Sequence, residues 1–125
     1  MDEFIDYRRL SMKASTTIKR ETAEEWASWF RALADPTRVL ILHLLANAEE
    51  PMSVGEITDR LDVGQSTISH HLAKLAEVRF VLVDEHGAST LWRVNTDCLV
   101  CFPSAVDVVM GRIPAEFTNA MEAAR

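Results

Sequence analysis

The segment SVGEITDRLDVGQSTISHHLAKLAEV, residues 53–78, predicts two short helices joined by a tight turn. Ser53 and Glu56 have the spacing of a capping box, in which the two residues satisfy free backbone amides at the start of the first helix. The turn contains Gly64, and the second helix carries its apolar residues on one face, at Ile68, Leu72 and Leu75. Two short helices around a glycine-containing turn, the second rich in small polar residues, are typical of a helix-turn-helix.

The residues before this segment predict two more helices. The first runs from about Glu21 to Ala34, with apolar residues at spacings of three and four, namely Trp26, Trp29, Phe30 and Leu33. The second begins at Asp35, which can cap the free amides, and at Pro36, whose fixed φ suits the first helical position. Its body VLILHLL, residues 39–45, is apolar on nearly every side. We therefore expect it in the middle of the core, with His43 as a hydrogen-bonded core histidine.

The residues after the segment predict a hairpin and a last helix. The stretch FVLVDEHGASTLWRVN, residues 80–95, contains two runs of β-branched and aromatic residues around His86 and Gly87. From Pro103 to Met110 the apolar residues return to helical spacing. The sequence therefore predicts a mainly α fold with one β-hairpin.

Length, composition and charge restrict the classes of protein. The 125 residues, 48% of them hydrophobic, suffice for one packed core. No apolar run approaches the roughly 18 residues of a membrane span, and the N-terminus has the wrong charge order for a signal peptide, so we expect a cytoplasmic protein with no membrane partner. A net charge of −6 argues against bulk electrostatic binding of nucleic acid, so any DNA contact must be local. Basic residues gather near the start, on a segment that is either a solvated tail or a mobile arm: Arg8, Arg9, Lys13, Lys19 and Arg20.

A polar face of the second helix of the helix-turn-helix lies opposite its apolar stripe. The residues on this face or on its flanks are Ser66, Thr67, Ser69, His70, Ala73 and Lys74. Short side chains let a helix backbone approach base edges, while a long cation reaches a phosphate. His71 lies nearer the core edge, where it either donates to a phosphate or caps the packing. We expect this face to contact DNA, and an ordinary solvated surface is the alternative.

Taken together, these motifs resemble the ArsR/SmtB winged-helix repressors of bacteria, over roughly residues 26–110. The resemblance is carried by FRALADPTRVLILHLL, by VGQSTISHHLAKL and by the hairpin VLVDEHGASTLWRVN ahead of a last helix. It implies a winged helix-turn-helix without enzymatic activity, in which a recognition helix enters the major groove of double-stranded operator DNA and the hairpin is a wing against the DNA backbone. It also implies a homodimer built on the first and last helices, and release of the operator when an inducer binds.

The predicted organisation is an N-terminal arm over residues 1–20, a winged helix-turn-helix domain over residues 21–112 with dimerisation helices at both ends, and a tail over residues 113–125. The terminal helices carry more apolar side chains than one small core needs, so we expect some of them to form the dimer interface. These residues are Trp26, Trp29, Phe30, Val106, Val109 and Met110.

Two features depart from the family pattern. The wing is usually basic, but Asp84 and Glu85 precede Gly87 here and leave Arg93 as the firm cation on the strands, so we expect weak wing contacts. Gly64 stands where a serine or threonine usually caps the recognition helix, at some cost in helix stability. The candidate DNA-contacting residues are Gln65, Ser66, Thr67, Ser69, His70, His71, Lys74 and Arg93.

Both cysteines, Cys98 and Cys101, precede Pro103. Because proline disfavours a helical conformation at Phe102, we expect the last helix to start at Pro103 or Ser104 and both thiols to lie in the turn ahead of it. Thiols three residues apart in a turn can face one centre, and the free amides of a helix start favour the thiolate that binds soft ions. Two thiolates satisfy a monoalkyl arsenical, whose third bond is to carbon, whereas arsenite needs a third ligand and tetrahedral zinc needs four.

The resemblance also favours these thiols as the inducer site. The stretch MSVGEI, residues 52–57, lacks the cysteine-rich box of many metal-sensing relatives, and the last helix has no histidine. The thiol pair is similar in placement to relatives that sense arsenite or organic arsenicals. We therefore expect arsenite or an organoarsenical at Cys98 and Cys101, with zinc or cadmium as the alternative ion. Three other readings stay open: cysteines that only pack an interface, a thiol-disulfide switch, and a winged helix that binds proteins instead of DNA.

Overall fold

The computed structural model describes residues 17–117, apart from the side chains of residues 99, 100 and 117. Within that range the elements follow in the order α1 (Arg20–Leu33), α2 (Pro36–Asn47), α3 (Val54–Leu61), α4 (Gln65–Glu77), β1 (Val81–His86), β2 (Ser89–Val94), α5 (Cys98–Val109) and a short 3-10 turn (Ala115–Phe117). This order confirms the predicted mainly α fold with one hairpin. Most of the predicted N-terminal arm, with Arg8, Arg9 and Lys13, lies outside the described residues, as does the end of the predicted C-terminal tail. None of the helices in the described range is long and apolar enough to cross a membrane.

The chain divides into two compact units. One consists of residues 28–96 and contains the end of α1, helices α2 to α4 and the hairpin. The other combines the start of α1, up to residue 27, with the chain from residue 97 onward, which includes α5.

The caps of α2 and α3 form as the sequence predicts. The amides of Thr37 and Arg38 donate to Oδ1 of Asp35 at 2.8 and 3.1 Å. In α3 the capping box is complete, since the Glu56 amide donates to Ser53 Oγ and the Ser53 amide donates to Glu56 Oε1, both at 3.1 Å. Each cap satisfies amides that have no partner inside the helix and so fixes where the helix begins.

Helix α2 is buried on one face only. Ile41 and Leu45 are buried, but Val39 and Leu40 are exposed, and so is His43. The prediction of a core histidine was therefore wrong: His43 Nδ1 lies 3.3 Å from Nδ2 of Asn47 on the exposed side of the helix. Helix α2 packs against α3, α4 and β2, and these neighbours cover only the face that carries Ile41 and Leu45.

The core of the unit formed by residues 28–96 joins the helix-turn-helix to the hairpin. Its fully buried side chains are Ile41, Ile57, Ile68, Leu72, Leu75, Phe80 and Val81. Trp29 is also buried, with its ring centroid 6.4 Å from that of Phe80 and the planes tilted by 55°. Trp26, in the other unit, is buried as well. These two tryptophans are therefore covered within the chain, and the predicted interface residues with exposed side chains are Phe30, Val109 and Met110.

The hairpin is antiparallel and pairs Val81 with Val94 at one end and His86 with Ser89 at the other. Gly87, in the two-residue turn, has a φ of +62°, a conformation in which a side chain would be strained. At the far end, Asn95 is buried and donates its side-chain amide to the Arg79 carbonyl at 2.8 Å. The exit from β2 is thereby tied to the segment that enters β1.

Helix α5 starts earlier than predicted. It begins at Cys98, with Asp97 as the N-cap residue, and Pro103 lies inside it. The Cys101 amide donates to the Asp97 carbonyl at 3.1 Å. The prediction that both cysteines lie in a turn ahead of the helix was therefore wrong: they occupy its first turn.

Pro103 is tolerated inside α5 because one face of the helix is buried. Proline has no amide to donate to the carbonyl of Leu99, and a proline in a helix interior typically costs about 3 kcal/mol. The buried face has side chains at spacings of four and three, namely Cys101, Ala105 and Val108. A helical backbone places all three on one face. Their burial therefore opposes the preference of Phe102, the residue before the proline, for an extended backbone.

The cap of α2 makes stability sensitive to acid. The Arg38 amide, opposed by partial burial and supported by the nearby His71 ring and the Thr37 amide, holds the pKa of Asp35 below its ordinary value of 3.8. A carboxylate with a lowered folded-state pKa stabilises the fold above its ordinary pKa, and this contribution disappears as the pH falls through the folded-state value. Asparagine also caps helices but does not titrate in this range. We therefore expect the unfolding free energy of Asp35→Asn to fall less than that of the parent between about pH 5 and about pH 3, in denaturant titrations at fixed protein concentration.

Candidate DNA interface and thiol pair

Helix α4 has a polar outer face and a buried apolar inner face. Its inner residues Ile68, Leu72 and Leu75 have no exposed surface. Its N-cap, Gly64, provides no side-chain hydrogen bond, as predicted. The side chains exposed along the outer face are Gln65, Ser66, Thr67, Ser69, His70, Ala73 and Lys74. The structure thus brings together on one face of α4 all the predicted DNA-contacting residues except His71, which lies on the same helix but turns inward, and Arg93 on the wing.

Lys74 is the cation of this face. Its Nζ lies 3.8 Å from Oε1 of Glu77, and both side chains are about half exposed or more. An exposed pair at that separation contributes roughly 0–1 kcal/mol, so the ammonium can exchange the carboxylate for a phosphate at little cost.

His71 turns away from the outer face toward the start of α2. Its side chain is 13% exposed, and its Nδ1 lies 3.4 Å from Nη1 of Arg38. Its Nε2 lies 3.8 Å from Oδ1 of Asp35, the oxygen that caps α2. Sequence reasoning missed Arg38 and Asp35 here, because they lie more than 30 residues from His71 along the chain and no local pattern joins them.

The wing carries little free positive charge. Arg93 Nε donates to Oδ2 of Asp84 at 2.8 Å. In the register of the hairpin Asp84 faces Leu91, so Arg93 is its diagonal neighbour, and the alternation of the strands was the signal that could have predicted the pair. Arg93 is thus positioned on the wing as expected but is neutralised by an acidic neighbour.

Removing that acid is expected to strengthen DNA binding. In Asp84→Asn, Arg93 loses a surface ion pair worth about 0.2–1 kcal/mol and the wing loses one negative charge. We expect the affinity for operator DNA to rise by up to about fivefold, with a steeper salt dependence, in fluorescence anisotropy titrations. Glu49→Gln, which removes an exposed charge outside the wing, is the matched control. Equal operator affinities of Asp84→Asn and the parent would indicate that the wing does not contact DNA.

The two cysteines lie one helical turn apart in α5. Neither is in a disulfide; Cys98 is partly exposed and Cys101 is buried. In an α-helix such a pair has Cβ atoms about 5–6 Å apart. Within residues 17–117, no group of three or more histidine, cysteine, aspartate and glutamate side chains lies together in a way that could hold a metal ion. Among the described residues, no third cysteine, histidine, aspartate or glutamate therefore joins the two thiols in a metal-ligating group.

Comparison with known proteins identifies the family of this chain. Residues 35–82, from the cap of α2 into β1, match the family described as bacterial regulatory protein, arsR family. The nodulation protein NolR of Rhizobium meliloti is 30% identical over 93 residues, which cover 74% of this chain and 75% of NolR. The chain belongs to the ArsR family. A second ArsR-type relative, the arsenical resistance operon repressor of Staphylococcus xylosus, is 24% identical over 86 residues, 69% of this chain and 81% of that protein.

Solved structures of the ArsR family share the fold. An ArsR-like transcriptional regulator from Rhodococcus sp. RHA1 superposes with a TM-score of 0.65 at 28% identity, covering 82% of this chain and 92% of that one. A homodimeric winged helix-turn-helix DNA-binding domain from Mycobacterium bovis gives a TM-score of 0.59 at 27% identity, covering 75% and 87%. The predicted winged helix-turn-helix and the predicted family are thus confirmed, with α4 as the recognition helix and the hairpin as the wing. The protein is an ArsR-family transcriptional repressor, and its relatives are regulators and not enzymes.

Proposed function

We propose that the chain is a cytoplasmic, dimeric repressor that binds operator DNA through the outer face of α4 and leaves it when trivalent arsenic binds Cys98 and Cys101. The winged helix-turn-helix domain would span residues 21–112, with the segments before and after it as arm and tail. The observation that carries the choice of inducer is the pair of thiols in the first turn of α5. A reducing cytoplasm keeps such thiols available for a soft ion.

The helical spacing favours an arsenic bridge over a disulfide. A disulfide requires Cβ atoms about 3.5–4.5 Å apart, which is shorter than the 5–6 Å of neighbouring turns. An arsenic atom between the two sulfurs replaces the single S–S bond by two S–As bonds and so lengthens the bridge by one atom, which lets it join Cys98 to Cys101 with less distortion. Two protein thiolates and one carbon complete the three bonds of a monosubstituted arsenical. Tetrahedral zinc would need two further ligands, which the described residues do not place beside the thiols.

The first turn of α5 is suited to respond to such a ligand. Pro103 removes one backbone hydrogen bond from the turn that carries both thiols, so the turn is held less firmly than the rest of the helix. Cys98 is partly exposed and would bind first, and the turn would open to bring in the buried Cys101. Cys98 also follows closely after Asn95, which anchors the end of the wing. Ligand binding would thus act on the short segment between the wing and α5.

The relative from Staphylococcus xylosus supports arsenic as the inducer, since its name describes an arsenical resistance operon repressor. A thiol-disulfide switch is the second candidate, because Cys98 and Cys101 have the exposed-then-buried arrangement of a reactive thiol and its resolving partner. A disulfide needs a shorter Cβ–Cβ separation than neighbouring helical turns provide, so we expect these thiols to bind an arsenical in preference to forming a disulfide.

Dimerisation is supported by apolar side chains that the chain leaves uncovered. Val109 and Met110 at the end of α5 are 51% and 71% exposed, and Phe30 on α1 is 38% exposed. Of the predicted interface residues, Val109 and Met110 thus have the most exposed side chains, whereas the two tryptophans are buried and Val106 is half-buried. The Mycobacterium bovis domain of the same fold is homodimeric.

A charge at this surface is expected to separate the protomers. The parent should have twice the 14.1 kDa chain mass in light scattering at micromolar concentration. Met110→Glu should give the monomer mass, because the buried charge would have no partner. Val83→Glu, on an exposed apolar residue of the wing, is the matched control and should stay dimeric. A monomeric parent would contradict the proposed assembly.

The experiment that tests the function selects bound sequences from random duplex DNA and then titrates the enriched operator in anisotropy measurements. Reduced protein would be compared without additive and with arsenite, a monoalkyl arsenical, zinc or peroxide. We expect arsenite and the monoalkyl arsenical to weaken binding, the latter at least as strongly, and zinc and peroxide to have little effect. Release by peroxide alone would support the thiol-disulfide switch, and no sequence enrichment would exclude DNA recognition.

A further inference from the structure

The recognition helix is attached to the rest of its unit by two kinds of contact. The first is the apolar stripe formed by Ile68, Leu72 and Leu75, each fully buried. The stripe sets which face of the helix points inward, but apolar contacts are not directional, so small rotations about the helix axis are less strictly specified by them. The second is polar and directional, and it consists of His71 against Arg38 and Asp35 at the start of α2.

The chemistry of the neighbours assigns the proton on His71. A guanidinium can only donate, so the hydrogen bond from Arg38 Nη1 at 3.4 Å makes Nδ1 of His71 the acceptor. In the neutral ring the proton is then on Nε2, which lies 3.8 Å from Oδ1 of Asp35. That separation is too long for a direct hydrogen bond but brings the ring N–H toward a carboxylate. His71 thus has one hydrogen bond, from Arg38, and one longer polar contact, with Asp35, at the start of α2.

Asp35 and Arg38 are themselves held in place. Oδ1 of Asp35 accepts the amides of Thr37 and Arg38, so the carboxylate cannot turn without loss of the α2 cap. Arg38 is half-buried, and its Nε atom is buried without a hydrogen-bond partner among the described residues, while its Nη1 contacts His71. His71 thus meets a capping carboxylate and a half-buried guanidinium at the start of α2.

We propose that His71 is a positioning residue for DNA recognition: through Arg38 and Asp35 it fixes the rotation of α4 on α2 and does not itself contact DNA. This inference rests on the proposed role of α4 in binding the operator. A small rotation of α4 would displace Ser69 and His70 from base edges, whereas long flexible cations such as Lys74 would still reach phosphates. Loss of the contact should therefore reduce selectivity more than general affinity for DNA.

The test compares variants on the enriched operator and on unrelated duplex DNA over a range of salt concentrations. His71→Ala is expected to weaken operator binding about tenfold, within the range for coupled neighbours, while binding to unrelated DNA and the salt slope stay unchanged. His71→Asn, whose carbonyl oxygen can take the place of Nδ1 and accept from Arg38, should recover most of the affinity. His71→Gln, whose amide reaches instead toward Asp35, should recover less.

Arg38 provides a second, independent test of the contact. Arg38→Ala removes the same hydrogen bond from the other side, so it should show the same loss of selectivity. The double variant should bind the operator nearly as tightly as either single variant, because each single substitution already removes the whole contact. Thermal unfolding followed by circular dichroism establishes that each variant is folded before its binding is compared.

Distinct results would overturn the inference. A salt slope that falls by about one in His71→Ala would make His71 a phosphate contact. Folded His71→Ala that binds the operator like the parent, or additive effects with Arg38→Ala, would show that the contact does not position α4. A parent protein that selects no DNA sequence would instead overturn the proposed function, and the inference with it.

Discussion

Replacing either cysteine is expected to abolish the response to arsenicals and leave DNA binding intact. A monosubstituted arsenical needs both sulfurs, so a single remaining thiol can hold it only through one bond that solvent thiols readily exchange. In operator titrations, Cys98→Ser should bind within about twofold of the parent, because Cys98 is only partly buried and lies outside the DNA-contacting unit. Adding arsenical should then change its affinity by less than about twofold, against about 5–150-fold for the parent.

Cys101 requires a different replacement because it is buried. Serine at this position would bury a hydroxyl, which costs free energy unless it finds a partner. Cys101→Ala keeps the site apolar and is the cleaner variant, so it should retain operator binding and lose the arsenical response. If Cys98→Ser responds normally while Cys101→Ala does not, the ligand set is not the pair proposed here.

Removing a base contact on α4 is expected to cost about 1–3 kcal/mol of operator binding, which is roughly 5–150-fold in affinity. Ser69 and His70 are both exposed next to the buried Ile68 and Leu72, with His70 on the outer face and Ser69 on its flank. Because the Ser69 side chain is exposed, Ser69→Ala should leave thermal stability nearly unchanged. His70 is also exposed but contacts the adjacent His71 ring edge-on, with centroids 5.6 Å apart, so His70→Ala should lower stability slightly. Selectivity for the operator over unrelated DNA should fall in both variants.

Lys74→Ala is the contrasting variant for this helix. A phosphate contact carries no sequence information, so its loss should weaken binding to operator and unrelated DNA alike and reduce the salt slope by about one. Glu24→Ala, an exposed charge on α1, is the neutral control. If both Ser69→Ala and His70→Ala bind the operator as tightly as the parent, another surface recognises the sequence.

Local signals in the sequence were sufficient for most of the fold. The caps at Asp35 and Ser53, the turn at Gly87 and the apolar stripe of α4 each depend on residues within a few positions, and each formed as predicted. The two helices of the helix-turn-helix segment were predicted correctly for the same reason. The outer residues of α4 were identified as those that point away from its apolar stripe.

The errors arose where tertiary packing overrides a local preference. Pro103 predicts a helix start, but burial of the face that carries Cys101 and Ala105 keeps the chain helical from Cys98 onward. Similarly, the apolar pattern of α2 does not show how many other helices or strands pack against it. The face that carries His43 has no such covering and is exposed. Contacts such as Arg38 with His71 join residues far apart in sequence, and a single sequence contains no local pattern for them.

The most direct test of the account is the operator affinity of the reduced parent protein with and without one equivalent of a monoalkyl arsenical per chain. Fluorescence anisotropy would measure both affinities, and the variant with Cys98→Ser and Cys101→Ala together would be the control. A coupling of about 1–3 kcal/mol predicts that the arsenical weakens parent binding by about 5–150-fold and leaves the double variant unchanged. Equal affinities of the parent with and without the arsenical, or the same loss in the double variant, would contradict the account.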